Sequence, residues 1–516
     1  MTASCADTAF STSRDRFEQV CSFLGDQEAA SLTHGELEQQ LTVDLRELVR
    51  LLYQDHLDLR AAGEQRRDDV VDAGGSRRGQ VEAGQVRPLQ TIFGAVDVTR
   101  LAYRRRGQVN LYPADAALNL PRELHSHGLR ELSAIESSRG SFEDASDAIR
   151  RITGVRLGKR QLEQLAARAA ADFEAFYSDP SRNQAAVTEG DLLILSADGK
   201  GIVMRPDALR PATAKAAGQA TAKLATRLSK GEKRNRKRMA EIGAVYDLTP
   251  LTRTPTDIIA RDDDTLRRAA PKASNKWLTA SVVEGAATVI CSIFEEAQRR
   301  DPTHQRTWIA LVDGAKHQID RIQAEARARR VQVTIVCDFI HVLEYLWSAA
   351  WSFFTEGDPA TEKWIAEKAL AVLNGQASTV AAAIRRKATT LGLDPRTRRG
   401  ADRCADYLLA KRDYLNYPQA LEQGWPIATG IIEGACRHLV KDRLDLTGAR
   451  WGLQGAEAIL KLRALRSNGD LEQYWTFHLN QERNRVHETR YLNFDPPMKY
   501  PRVDGHDSDL VFFVWA

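Results

Sequence analysis

The chain is poor in cysteine, in long apolar runs and in net charge, and each shortage closes off a class of protein. Its six cysteines, at positions 5, 21, 291, 337, 404 and 436 of 516 residues, are scattered, with no Cys-x-x-Cys pair. That spacing argues against a zinc ribbon and against a disulfide scaffold, and it favours a reducing cytoplasm. No apolar run approaches the roughly 18 residues that a bilayer-spanning helix needs, so no membrane is expected among its partners. The opening residues, Met-Thr-Ala-Ser-Cys-Ala-Asp, carry no basic and apolar signal, which fits a soluble intracellular protein. A net charge of +4 is small for this length and implies no global field. The length exceeds what one hydrophobic core organises, and roughly three domains is the expectation.

What the chain does have is a repeated grammar of apolar strands that end in an acid. Asp191-Leu-Leu-Ile-Leu-Ser-Ala-Asp198-Gly-Lys-Gly-Ile-Val-Met204 reads as a strand in a well-covered sheet that breaks at Asp198, turns on two glycines and resumes. Taken alone, Asp198 reads equally well as an acid that starts a hairpin turn. The pattern recurs in Arg306-Thr-Trp-Ile-Ala-Leu-Val-Asp313-Gly and in Val331-Gln-Val-Thr-Ile-Val-Cys337 followed by Asp338-Phe-Ile-His341. Far downstream, Gly430-Ile-Ile-Glu433 opens a helix with bases behind it. Two acids on strand ends and a third on a late helix is how a ribonuclease-H-like fold builds a two-metal site. Hard Mg²⁺ ions prefer carboxylate oxygens. Two of them about 4 Å apart clamp the attacking and leaving oxygens of an in-line phosphoryl displacement.

Around that core the periodicity changes several times. Within 1–86, residues 14 to about 62 read as helical, with Leu37, Leu41, Leu45, Leu48, Leu52 and Phe17, Val20, Phe23, Leu24 as packing stripes. Residues 63–86 read as a mobile connection. Residues 87–118 alternate with period two and read as a small hairpin or three-stranded sheet, with Arg100, Arg104, Arg105 and Arg106 guarding its edge. In 119–180, Ser141-Phe-Glu-Asp144 reads as a capping box. A turn at Thr153-Gly154 then leads to a helix opening with Lys159, Arg160 and Gln161, which reads as a helix-turn-helix-like DNA contact or as an ordinary charged helical hairpin.

Residues 186–341 read as the first part of the core. Six bases in nine positions, Lys230, Lys233, Arg234, Arg236, Lys237 and Arg238, lie just before a strand expected at 240–247. They read as an arm that neutralises phosphates, with a solvated charged face as the plainer alternative. Residues 342–428 read as an all-helical insertion whose Trp and Leu positions are core. Residues 429–466 read as the last part of the core, including an amphipathic helix at 455–465, and 467–516 as a tail whose role is unread.

The ordered set carries a resemblance. It consists of Ala-Asp198-Gly-Lys-Gly, Arg236-Lys-Arg-Met-Ala-Glu-Ile-Gly-Ala-Val-Tyr followed by Arg253-Thr-Pro, Leu-Val-Asp313-Gly, Cys-Asp338-Phe-Ile-His341, Ile431-Ile-Glu433-Gly-Ala-Cys-Arg-His-Leu-Val-Lys-Asp-Arg443 and Gly448-Ala-Arg-Trp451. Over residues 87–466 the chain resembles the DDE-type transposases of bacterial insertion sequences, in the Kra-type branch related to the Mutator-like superfamily. The resemblance implies a multidomain α/β plus all-α fold, in which a ribonuclease-H-like core is interrupted by an all-helical insertion. A mainly helical N-terminal DNA-binding region with a small β-hairpin precedes it.

The same resemblance implies Asp198, Asp313 and Glu433 as ligands of two Mg²⁺ ions, with Mn²⁺ as the substitute. Asp338 and His341 match an Asp-x-x-His signature, as catalytic candidates or as a strand-end cap with a hydrogen-bonded His. Arg437, His438, Lys441 and Arg443 follow Glu433 at helical spacing, either facing the DNA backbone or forming a charge-balanced surface helix. The implied partners are the element's terminal inverted repeats, target DNA and a second subunit or more, because two ends are processed together. The expected place is the cytoplasm, on the nucleoid. The rival readings are another ribonuclease-H-like nuclease, such as a junction resolvase, and a catalytically silent DNA-binding descendant of a transposase.

Overall fold

A computed structural model describes residues 9–180, 182, 192–219, 226, 236–259, 271–446 and 448–493. The chain divides into two compact units, one of residues 1–133, 146–158 and 475–516 and the other of 134–145 and 159–474.

The first unit starts with helices α1 (Ser11–Leu24) and α2 (His34–Ala62). Thr33 and Glu36 satisfy each other's backbone amides in a capping box, which fixes where α2 begins. The Ser13 amide donates to Asp55 at 3.0 Å and Arg16 pairs with Asp44 at 2.6 Å, tying the two helices. Val20 and Leu48 are buried, whereas Phe17, Leu45 and Leu52 are exposed, so the expected apolar stripe is only partly packed. Strands β1 (Gln80–Thr91) and β2 (Gly94–Arg104) pair antiparallel as a two-stranded sheet. Leu57 of α2 clusters with Leu89, Val96, Val98 and Leu120 over this hairpin.

Two expectations are corrected in this unit. The strand begins at Gln80, inside the stretch read as a mobile connection. The residues before it are held by Asp72, which accepts from the amides of Gly74 and Ser76 and pairs with buried Arg78 at 2.7 Å. Arg100 is no edge guard. It is buried, with Nε 2.6 Å from Asp115, because an inward guanidinium needs a carboxylate partner there.

Helices α3 (His127–Arg139), α4 (Phe142–Thr153) and α5 (Lys159–Ala169) follow. Ser141 and Asp144 close the capping box at the head of α4, and Gly154, at φ +76°, ends it.

The second unit is built on a mixed five-stranded sheet in the order β5-β4-β3-β6-β7. Its strands are β3 (Leu192–Val203), β4 (Lys237–Leu248), β5 (Ala273–Ser281), β6 (Thr307–Val312) and β7 (Val333–Cys337). β4 runs antiparallel to β3 and β5, while β3, β6 and β7 are mutually parallel. Helices α6 (Ala286–Arg300) and α7 (Lys316–Arg329) connect β5 to β6 and β6 to β7. Strand β5 escaped the sequence reading, because its buried half, Trp277–Ser281, follows a polar start.

Asp198 does not end its strand. β3 continues to Val203 against β4, with Asp198 opposite Ile242, while its pairing with β6 stops at Ser196 opposite Leu311. Gly199 and Gly201 are therefore strand residues and not a turn. A Cβ on Gly199 would come within 3.0 Å of Met239, and one on Gly201 within 2.9 Å of Lys237.

Residues 339–422 contain helices only: α8 (Phe339–Ala350), α9 (Pro359–Leu373), α10 (Ala377–Thr390), α11 (Arg399–Ala410), a short 3₁₀ turn and α12 (Tyr417–Glu422). Leu346 and Trp364 are buried there, but Trp347 is half-buried and Trp351 is 47% exposed, so not every Trp is core. The chain then returns through α13 (Gly430–Ala435), a π-helical turn at Cys436–Lys441, and α14 (Leu453–Asn468). α14 was expected to be amphipathic, yet Ala456, Ile459, Leu460, Leu462, Ala464 and Leu465 are all buried, so it is apolar on nearly every side. The stretch after Ser467 folds too, as α15 (Leu471–Val486), with Tyr474 and Trp475 buried. Among the described residues no helix is long and apolar enough to cross a membrane.

An ionic cluster pins the edge of the sheet where β6 begins. Asp247, 1% exposed, accepts from Arg306 at 2.8 Å and from Asn275 at 2.8 Å, with Arg300 at 3.5 Å. Removing this acid would take the carboxylate from buried Arg306 and leave Arg300 with Glu296 alone. Asp247→Ala is expected to cost about 3–5 kcal/mol of stability, read as a lower urea midpoint; a midpoint equal to the wild type's would contradict it.

Candidate functional site

The parallel register decides which acids meet. Ser196 lies opposite Leu311, and Val312 lies opposite Cys337. One or two residues further on, Asp198, Asp313 and Asp338 stand at one level on three adjacent strands, whose backbones are about 4.8 Å apart. The sequence reading grouped Asp198 and Asp313 with Glu433; the sheet sets Asp338 in the same row.

Each carboxylate has its own local partners. Asp198 accepts from the Gly199 amide at 2.6 Å and from the Cys436 thiol at 3.2 Å. Burial, and then the Asp198 charge, keep that thiol protonated, with its pKa far above the ordinary value. Asp313 accepts from the Ala315 amide at 2.8 Å. The backbone turns here at Gly314, whose φ of +91° and 3.0 Å Cβ approach to the Tyr407 hydroxyl favour glycine. Tyr407 and Tyr417 donate to the carbonyls of Asp313 and Cys337 at 3.0 and 2.9 Å, so the helical insertion holds the ends of β6 and β7.

Asp338, 3% exposed, caps α8 by accepting from the Ile340 amide at 2.9 Å, and it also accepts from the Thr429 hydroxyl. The same hydroxyl lies 3.5 Å from Glu433 Oε1. Thr429 sits at the head of α13, but its hydroxyl is spent on Asp338 and not on the helix's own amides. Glu433 is thus brought to the row of strand-end acids. Its carboxyl is pushed above the usual range by burial first and then by the charge of Asp338, with Glu344 and Asp198 adding to it. Among the described residues no three His, Cys, Asp or Glu side chains converge as a ready-made ion cage. The donor set itself, hard carboxylate oxygens in which the charges of Asp338 and Asp198 help to raise the Glu433 carboxyl, fits a divalent cation.

His341 pairs with Glu344 at 3.1 Å and meets the rings of Tyr345 and Tyr407 edge-on. That environment orients the imidazole, and among the described residues no hydrogen bond or ion pair joins it to Asp198, Asp313 or Glu433. Sequence reading left out three neighbours: Thr429, Cys436 and Glu241. Glu241 lies opposite Gly199 on β4, and burial raises its pKa, as does the Asp198 charge to a lesser degree. Its signal was one of two acids, with Asp247, in the largely apolar stretch 239–248.

The expected DNA contacts are spread more widely. Lys159, Arg160 and Gln161 are exposed at the head of α5, with Lys159 2.9 Å from Glu143. Lys230, Lys233 and Arg234 lie outside the described residues. Arg236 is exposed, and Lys237 and Arg238 already belong to β4. The guanidinium of Arg238 is taken up by the carbonyls of Val282, Val283 and Ala208.

Behind Glu433, Arg437 and Lys441 are exposed, and His438 bonds the Gly434 carbonyl and the Ser467 hydroxyl. Arg443 corrects the expectation of a DNA-facing base. At 2% exposed it lies over the rings of Phe142 and Trp451, at 5.0 and 4.8 Å, and donates to the Ser137 carbonyl. Burial there lowers its pKa to about 10. Trp451 in turn bonds the backbone of Val203, the last residue of β3, and of Arg205 just beyond it. The Gly448-Ala-Arg-Trp451 motif therefore anchors the Glu433 helix to the strand that carries Asp198.

No protein-family model and no curated protein matches the chain. Among solved structures, the Drosophila P element transposase strand transfer complex is similar over 75% of this chain and 83% of that one, at 9% identity and a TM-score of 0.21. A likeness at that score carries no argument.

Burial holds the Asp338 carboxyl above the usual range, against the Thr429 and Ile340 hydrogen bonds. The folded chain then binds this proton more tightly than the unfolded chain. Stability falls as pH rises from the ordinary value near 3.9 through the raised folded one. Asp338→Asn, which keeps an acceptor for Ile340, is expected to flatten this fall and to raise the thermal midpoint at pH 7 by about 2–4 °C. Circular dichroism melts between pH 4 and 8 check this; identical slopes for the two proteins would count against it.

Proposed function

We propose that the chain is a DNA-processing enzyme of the DDE transposase class, related to the Kra-type branch. It would cut the ends of a mobile element and join them to target DNA on a ribonuclease-H-like core. The observation that supports this most is the row of Asp198, Asp313 and Asp338 at one level on adjacent parallel strands, with Glu433 linked to Asp338 through Thr429. Asp198, Asp313 and Glu433 would hold two Mg²⁺ ions, which when bound supply charge neutralisation at phosphate and a more acidic attacking hydroxyl.

The chain's own side chains do the positioning. Asp338 and Thr429 fix the approach of Glu433, and the Cys436 thiol orients Asp198. His341, engaged by Glu344 and two tyrosines, is an orienting residue and not a general base. Exposed Arg437, Lys441 and Arg236, with Lys159 and Arg160, offer cations to the phosphate backbone. In the first displacement, water forms a bond to phosphorus while the 3′-oxygen leaves. In the second, that freed 3′-hydroxyl attacks a target phosphate and displaces its 3′-oxygen. Because two ends are joined together, the working form is a homodimer or a larger assembly.

The test uses a supercoiled plasmid carrying the element's ends, with Mg²⁺. Asp198→Asn, Asp313→Asn and Glu433→Gln are each expected to slow cutting by more than about 100-fold, the loss of several kcal/mol of charge stabilisation. Gel-shift binding of the ends should persist. Cutting at the wild-type rate by any one variant removes that residue from the site. Nicking with no joined product would favour a nuclease over a transposase.

A further inference from the structure

The two edges of the five-stranded sheet are finished differently. At β5 the Asn468 side chain takes both outward groups of Leu278, the amide at 2.8 Å and the carbonyl at 2.9 Å. Just beyond, Glu457 accepts from the Val282 amide at 2.8 Å. Two side chains of α14 thus stand in for a sixth strand. An edge without such cover invites another chain to pair with it.

β7 ends the sheet on the other side. The Asp338 amide turns inward to the Val312 carbonyl of β6, whereas the Cys337 carbonyl turns outward to the Tyr417 hydroxyl. Backbone groups alternate in direction along a strand, so those of Val333 and Ile335 point outward with Cys337. Beside them lies a groove of about 420 Å³, floored by Ile322 and Ala326 of α7 with Val331, Val333 and Ile335. Its polar lining is Gln323, Gln332 and two exposed cations, Arg327 and Arg330, and no acid lines it. Arg329 pairs with Glu325 at 3.2 Å, but among the described residues neither Arg327 nor Arg330 makes a salt bridge. Arg330 holds φ at +55°, a conformation that favours glycine, so a cation is kept here against the backbone's preference.

The sequence contains a segment with the complementary chemistry: Asp507-Ser-Asp509-Leu-Val-Phe-Phe-Val-Trp515. Its run of apolar residues, β-branched and aromatic for the most part, has no charge and no proline. Such a run forms strands readily and associates when left uncovered. Period two sets Asp507, Asp509, Val511 and Phe513 on one face. Helix α7 runs back along β7 from the arginines toward Ile322. A strand laid parallel to β7 therefore brings its acids to Arg327 and Arg330 and its apolar residues to Ile322.

We propose that β7 takes residues 507–515 of a second copy of the chain as a sixth strand. Main-chain hydrogen bonds supply the affinity, and the arginines with the apolar floor set the register. Each copy offers one edge and one strand, so a two-fold exchange closes and leaves neither edge open. Only the expectation of two copies is shared with the reading of the chain as a transposase. The exchange needs none of the chemistry at the acids.

The experiment uses the full chain. Light scattering across a dilution series gives the dimer dissociation constant, and hydrogen–deuterium exchange follows the amides of 331–337 above and below it. The wild type is expected to dimerise, with these amides slower to exchange in the dimer. Val511→Pro removes a ladder amide and should raise the dissociation constant at least about tenfold. It should also speed exchange at 331–337 where the wild type is dimeric. Arg327→Glu with Arg330→Asp should weaken the dimer about tenfold, the worth of two edge ion pairs facing like charges. Adding Asp507→Lys and Asp509→Lys to that chain should restore it, which a surface that merely attracts anions would not do. Should the arginine variant melt below the wild type, Asp507→Lys with Asp509→Lys alone carries the charge test.

A wild type that stays monomeric at every concentration overturns the proposal. So does equal exchange at 331–337 in the wild type and Val511→Pro, or a dimer that neither charge reversal weakens. The plasmid assay separates the two readings. A chain that exchanges strands but never cuts DNA overturns the enzyme and keeps the interface. One that cuts as a dimer with fast β7 amides does the reverse.

Discussion

Leu192 to Ala197 of β3, Trp308 to Val312 of β6 and Val336 with Cys337 of β7 are buried side by side. Strands covered on both faces keep charge out along their whole length. The acids come just past the apolar runs, and parallel register ends those runs at one level on all three. Asp198, Asp313 and Asp338 follow from that single constraint. The row would be lost by a one-residue slip of β6, which would also turn its buried side chains toward the opposite face. Register and chemistry are therefore held by the same apolar burial.

The insertion and the returning helix complete the arrangement from outside the sheet. Tyr407 and Tyr417 reach across from the helical region to the carbonyls at the ends of β6 and β7. Arg463 of α14 donates to the carbonyls of Leu439 and His438, groups that the π turn leaves without ordinary helical partners. Arg443, between Phe142 and Trp451, fixes the far end of the same segment. Arg443, which looks like a nucleic-acid contact in the sequence, acts with Arg463 as a clamp on the segment that follows Glu433. A cation within helical reach of an acid does not reveal whether it faces phosphate or an aromatic pair, because the π turn shifts the phase by one residue.

Arg253, 8% exposed, donates from Nη2 to the Trp425 carbonyl at 2.9 Å and makes no salt bridge among the described residues. Other inward arginines of this unit have an acid or an aromatic pair: Arg306 and Arg300 have Asp247, Arg300 also has Glu296, and Arg443 lies over Phe142 and Trp451. Arg253 stands apart from that practice.

Local pattern in the sequence determined the apolar runs that lead to Asp198, Asp313 and Asp338, the capping box at Ser141, the helical stretch between Phe339 and Glu422, and the residues Asp198, Asp313, Asp338 and Glu433 as candidates. These are properties of neighbouring residues, legible from period and turn chemistry. Pairing was not legible there. That β3 runs on past Asp198 depends on β4, its partner from 45 residues downstream, and the strand character of Gly199 and Gly201 follows from it. The burial of α14, the capture of Arg100 by Asp115, and the bridging of Asp338 and Glu433 by Thr429 depend likewise on groups distant in the chain. An isolated segment fixes which side chains share its face; only the folded chain fixes what that face meets, and so which charges are solvated, paired or left waiting.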